Sequence, residues 1–63
     1  MPFISVRIFE ERLDGTQDEE FIKNLTEAVT KTFGEESRSH TWVALEGTPA
    51  KRWGIAGRLG SKL

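Results

Sequence analysis

The sequence predicts a small α/β (α+β) subunit: one βαβ unit with two parallel strands, one helix and a C-terminal hairpin, completed by assembly into an oligomer. Three observations lead there. Residues 3–9 are rich in β-branched and aromatic types and alternate with a period of two, as a strand does. Residues 17–33 carry apolar groups at helical spacing. A second strand-like run follows, all within 63 residues that contain no cysteine.

In the first strand, Phe3-Ile4-Ser5-Val6-Arg7-Ile8-Phe9, residues Ile4, Val6 and Ile8 share a face suited to lie under a helix. Phe3, Ser5, Arg7 and Phe9 share the other, where aromatics beside polar groups suggest a subunit contact or a site wall. Glu10–Gly15 is predicted to be loop. Thr16-Gln17-Asp18-Glu19 has the form of a capping box, a hydroxyl for one free N–H and a carboxylate three residues on for another. Asp18, Glu19 and Glu20 put negative charge at the positive end of the helix dipole. The helix is predicted from Gln17 to Phe33, with Phe21, Leu25, Ala28 and Thr32 on its apolar stripe, joined by Ile22, Val29 and Phe33. Gly34 stands where a left-handed C-terminal cap is expected.

Glu35–Ser39 reads as polar loop. Thr41–Leu45 reads as the second strand, with Thr41, Val43 and Leu45 on one face and His40, Trp42 and Ala44 on the other. Strand, helix and strand in so short a span imply a right-handed crossover between parallel strands. Gly47-Thr48-Pro49 is a turn signal. The tail Arg52-Trp53-Gly54-Ile55-Ala56-Gly57-Arg58 is read as a short hairpin or extended arm docked on another subunit.

Residues 1–63 make one domain at most. A chain this short buries only about 60% of the surface that its unfolded form exposes. Parallel sheets are normally covered on both faces, and a single helix covers one. Both considerations predict self-association. A net charge of −1 is no footprint for nucleic acid, and the locally basic Lys51, Arg52, Arg58 and Lys62 are explained by a solvated surface. No apolar run reaches membrane-spanning length, and no charged segment precedes the first strand as in a signal peptide, so cytoplasmic residence is the expectation. With His40 the sole histidine, no metal cluster is expected, and no cofactor motif is present. Gly54 and Gly57 lack the strand–turn–helix context and the Lys-Ser/Thr pair of a phosphate loop.

The chemical clue is Pro2. Removal of Met1 would leave a secondary amine at the head of a strand. A free α-amine titrates near ~7.7–8, and desolvation or neighbouring cations lower that value. Such an amine suits general base catalysis at neutral pH. Taken alone, Met-Pro is a common opening without chemical meaning.

Its context changes that weighting. The opening Pro2-Phe3-Ile4-Ser5-Val6-Arg7-Ile8-Phe9-Glu10-Glu11-Arg12 and the closing Thr48-Pro49-Ala50-Lys51-Arg52-Trp53-Gly54-Ile55-Ala56-Gly57-Arg58 resemble the two ends of the 4-oxalocrotonate tautomerase family. In that family a proline, an alternating strand and Glu-Gly-Arg open the chain, and an aromatic followed by Gly-Ile-Gly-Gly closes it. Glu11 stands where the family has glycine. The resemblance implies a homo-hexamer built as a trimer of dimers, with active sites at subunit interfaces and no cofactor. It implies an enol–keto tautomerase acting on a small-molecule carboxylate, a 2-hydroxy-dienoate or enol-pyruvate type acid. Pro2 would be the base, Arg12 a carboxylate-binding arginine and Trp53 the aromatic wall. Arginine suits that role because it binds a planar carboxylate bidentately.

One position departs. The family carries a second arginine eleven residues before the closing aromatic, and counting back from Trp53 reaches Trp42. Arg7, on the site-side face of the first strand, and Arg52, beside Trp53, are candidates for the compensating charge. Arg38 and His40 lie near but off the spacing, and His40 is expected in solvent or at the strand entrance. The resemblance also implies a second use of the same proline, protonating a hydrated adduct or forming an iminium with an aldehyde. The alternative to an enzyme is a weak or inactive family-fold subunit that binds a small ligand or pairs with a homologous chain in a hetero-hexamer.

Overall fold

The computed structural model describes residues 2–62. Removal of Met1, on which the basicity of Pro2 depends, lies outside them. Strand β1 (Phe3–Phe9) leads through a 3-10 turn at Glu10–Arg12 to helix α1 (Asp18–Phe33). A 3-10 segment at Glu35–His40 then enters β2 (Trp42–Thr48). A further 3-10 turn (Ala50–Arg52) precedes a hairpin of β3 (Gly54–Ile55) and β4 (Arg58–Leu59). β1 and β2 pair in parallel, with Phe3 opposite Trp42, Arg7 opposite Glu46 and Phe9 opposite Thr48. The predicted βαβ unit and hairpin are therefore what the chain forms, with β1 at the predicted bounds.

Several local expectations are corrected. Thr16 does not cap α1: its N–H and hydroxyl both donate to Asp14 Oδ1, at 3.0 and 2.7 Å. These bonds hold the Asp14 carboxyl below its usual range. Gln17 is the N-cap residue and makes no side-chain capping bond. An Asx turn, closed by the acid two residues upstream, has taken the hydroxyl from the helix.

At the other end of α1, Gly34 has positive φ (108°), but its ψ of 160° is extended rather than left-handed helical. A side chain there would meet the Glu36 carboxylate at 2.8 Å. Residues 35–39, read as loop, lie within the 3-10 segment. β2 runs three residues beyond Leu45, so Gly47 and Thr48 lie in the strand and not in a turn. Gly47 is small because Glu10 Cα would lie 3.0 Å from any Cβ there. Glycine inside a strand marks such a close backbone approach.

The helix lies over the face carrying Ile4, Val6, Ile8, Val43 and Leu45, all half-buried. Phe21, Leu25 and Val29 are half-buried as well, and Thr30 is the buried residue, donating its hydroxyl to the Glu27 carbonyl at 2.9 Å. Ile22, Ala28, Thr32 and Phe33, expected on the inward stripe, are exposed. The opposite sheet face is open. It carries Phe3 (65% exposed) beside Trp42 (59%), then a polar ladder in which Arg7 bonds Glu46 at 2.7 Å and Thr48 at 3.1 Å.

Among the described residues no apolar side chain is fully buried. The radius of gyration, 14.6 Å, exceeds the roughly 11 Å of a compact domain of this length. The tail contributes to that extension. Ala56 and Gly57 both take positive φ (54° and 81°), as a two-residue hairpin turn requires, and Ile55 and Leu59 stay exposed. Among the described residues no helix is long and apolar enough to cross a membrane.

Candidate active site

In a parallel pair, residues that precede each strand meet at one end of the sheet, and residues that follow meet at the other. Pro2 precedes β1, and the segment ending in His40 precedes β2. Pro2 is half-buried there, its carbonyl accepting the Trp42 N–H at 3.0 Å. Proline tolerates this place because the first position of a strand needs no donor. Around it opens a groove lined by Pro2, Phe33, Glu36, Ser37 and His40. Its volume of about 720 Å³ lies within the range of small-molecule sites.

Each wall has a local cause. Phe33 is the last residue of α1, and Gly34 then turns the chain back. The 3-10 segment wraps Glu36, Ser37 and His40 past Pro2 before β2 begins. Ser37 secures the turn: its hydroxyl donates to the Gly34 carbonyl at 2.7 Å. Arg38 clasps the segment to α1 by pairing with Glu27 at 2.9 Å and with Glu35. The hydrogen bond to Glu35 raises the guanidinium above its ordinary value and holds the Glu35 carboxyl below the usual carboxylate range.

Of the six residues singled out from the sequence, five divide between the two ends and Arg7 lies between them. Pro2 and Trp42 lie together at the groove end, with Trp42 exposed next to Phe3. Arg12, Arg52 and Trp53 lie at the opposite end. Arg12 lines a crevice with Ile8, Leu13, Gln17, Asp18 and Phe21. Trp53 Nε1 donates to the Thr48 carbonyl at 2.8 Å, and its ring meets Phe9 edge-on at 4.9 Å. Arg52 is exposed. Arg7 lies midway along β1, its charge offset by Glu46 at 2.7 Å.

The seven residues of β1, at about 3.3 Å each, hold the two ends some ~23 Å apart. No small acid spans that distance. Within one chain, Pro2 and Arg12 do not form a common site; a shared site needs the Pro2 end of one copy against the Arg12 end of another.

Phe33, Glu36 and Ser37 line the groove although no motif marks them, and His40 stands exposed at the strand entrance, as expected. The signal was present in the topology, since Pro2 and His40 both stand just ahead of paired parallel strands.

The family model for tautomerase enzymes matches residues 2–62. Among solved structures, the crystal structure of YwhB, a homologue of 4-oxalocrotonate tautomerase, superposes with a TM-score of 0.83 at 29% sequence identity. That match covers 98% of this chain and 98% of the other. No curated protein matches the chain.

Proposed function

The chain belongs to the tautomerase enzyme family, and from that premise we propose that it is an enol–keto tautomerase using the Pro2 amine as general base on a small enol or dienol carboxylic acid. The observation that carries this reading is the position of Pro2 in the wall of a groove at the head of β1. With Met1 removed, Pro2 carries a secondary amine in the wall of a groove that Phe33 also lines. The neutral amine takes the proton of the enol hydroxyl as the carbonyl forms. The resulting ammonium returns a proton to carbon, so the amine is regenerated and no cofactor is consumed. Desolvation favours the neutral form, while the Glu36 carboxylate in the same wall favours the ammonium.

The reading includes assembly. Arg12 and Trp53 serve a neighbouring copy's Pro2, Arg12 pairing with the substrate carboxylate and Trp53 closing the groove. We propose a homo-hexamer. The motive is a subunit whose apolar side chains, among the described residues, are at best half-buried, with an open aromatic sheet face. Sedimentation at low micromolar concentration is expected to show the assembly with little monomer; a folded, stable monomer would defeat this.

Activity is tested on the processed protein by following the loss of enol absorbance of phenylenolpyruvate. Acceleration over buffer is expected. No acceleration on this monoacid or on the diacid 2-hydroxymuconate overturns the reading. One observation favours the alternative, a weak subunit that pairs with a homologous chain: Arg7 and Arg38 are both engaged in ion pairs within the chain. Under that alternative the chain alone is inactive and gains activity on mixing with its homologue.

A further inference from the structure

We propose that His40 is the hydrogen-bond donor to the substrate's enol oxygen at the Pro2 site. The inference rests on the reading of Pro2 as the base.

An oxygen that gathers charge while a proton moves needs a preorganised donor, and that donor must lie beside the base. The wall of the Pro2 groove contains few. Phe33 has none. Glu36 is a carboxylate and accepts only. The Ser37 hydroxyl hydrogen is given to the Gly34 carbonyl at 2.7 Å. His40 remains. It is exposed at the end of the 3-10 segment. The side-chain bonds of that segment run from Ser37 to Gly34, from Arg38 to Glu35 and from Thr41 to Ser37, and none uses the imidazole. An imidazole carries at least one N–H whether neutral or charged, so it can donate in either state. The alternatives in the chain are less suited. Arg7 is bound to Glu46 and Thr48. Arg38 is held between Glu27 and Glu35.

The position is also held. Ser37 accepts the Thr41 hydroxyl at its carbonyl, 2.8 Å away, and the Thr41 N–H donates to the Arg38 carbonyl at 3.2 Å. These bonds bracket His40 on both sides and set its backbone against the head of β2.

The test compares His40→Gln, which keeps an N–H donor, with His40→Phe, which keeps a planar ring and loses the donor. Both are measured beside the wild type and Pro2→Ala on phenylenolpyruvate, with assembly followed by sedimentation. His40→Phe is expected to lose about 100-fold in kcat with little change in KM, and His40→Gln to retain most of the rate. A His40→Phe protein as active as the wild type overturns the assignment, as does an equal loss in both variants. Should the wild type show no rate above buffer, the base reading itself fails and His40 falls with it. A wild type well above Pro2→Ala, beside an unimpaired His40→Phe, removes His40 alone.

Discussion

A protein that keeps one residue ahead of Pro2 is expected to lose at least about 100-fold in kcat/KM, because the loss of a positioned base typically removes that much. Acylation turns the proline nitrogen from an amine into an amide, which has no basicity. The strand that follows is unaffected. The Pro2 carbonyl still accepts the Trp42 N–H, so β1 and β2 keep their register and the oligomer is expected to persist. Pro2→Ala is expected to fall less, since a primary amine remains in the same place. The measurement pairs intact mass with turnover of phenylenolpyruvate on the same preparation. Equal rates with and without Met1 would show that the amine is not the base.

The second large effect is expected at Trp42. An arginine there would set a delocalised cation beside the substrate carbonyl, whereas tryptophan offers one indole N–H and an apolar surface. Removing one such electrostatic donor from a site typically costs on the order of 100–1,000-fold. The wild type is therefore expected to be weak on 2-hydroxymuconate and better on aromatic or monoacid enols, which can lie against Trp42. The side chain is available for this: it is 59% exposed and its register partner is the exposed Phe3. Trp42→Arg is expected to shift the ratio of kcat/KM values toward the diacid by a factor of that order. Phe3 provides a ring face for the guanidinium, and sedimentation of the variant checks that the assembly persists. Wild-type protein that already turns over the diacid as well as the monoacid would show that another cation occupies the place.

Where local rules act alone, the sequence was a sufficient guide. β1 ends where its alternation ends, and α1 begins one residue after the predicted start. It misled where two rules competed. Asp14 and α1 both bid for the Thr16 hydroxyl, and the shorter loop closure won. Gly47 looks like punctuation, yet its missing side chain serves a contact with Glu10, far away in sequence. No one-dimensional pattern reports such a contact.

The site divides in the same way. Pro2, Arg12 and Trp53 are candidates on the resemblance alone. Their separation to opposite ends of the sheet follows from strand direction and length, and it was not drawn from the sequence. The groove wall was hidden because Glu35–His40 reads as featureless polar loop, and only its 3-10 turn brings Glu36, Ser37 and His40 beside Pro2.

In the assembly proposed above, the absence of a fully buried apolar side chain among the described residues makes subunit concentration a thermodynamic variable of the fold. In an assembly of such subunits, unfolding and dissociation are one event, and mass action governs both. Each tenfold dilution weakens every association step by about 1.4 kcal/mol. Denaturation midpoints should therefore climb with protein concentration, and specific activity should decay in very dilute assays. A rate loss seen in such an assay can come from dissociation as readily as from chemistry, so variants of the Pro2 groove are properly compared at matched concentration.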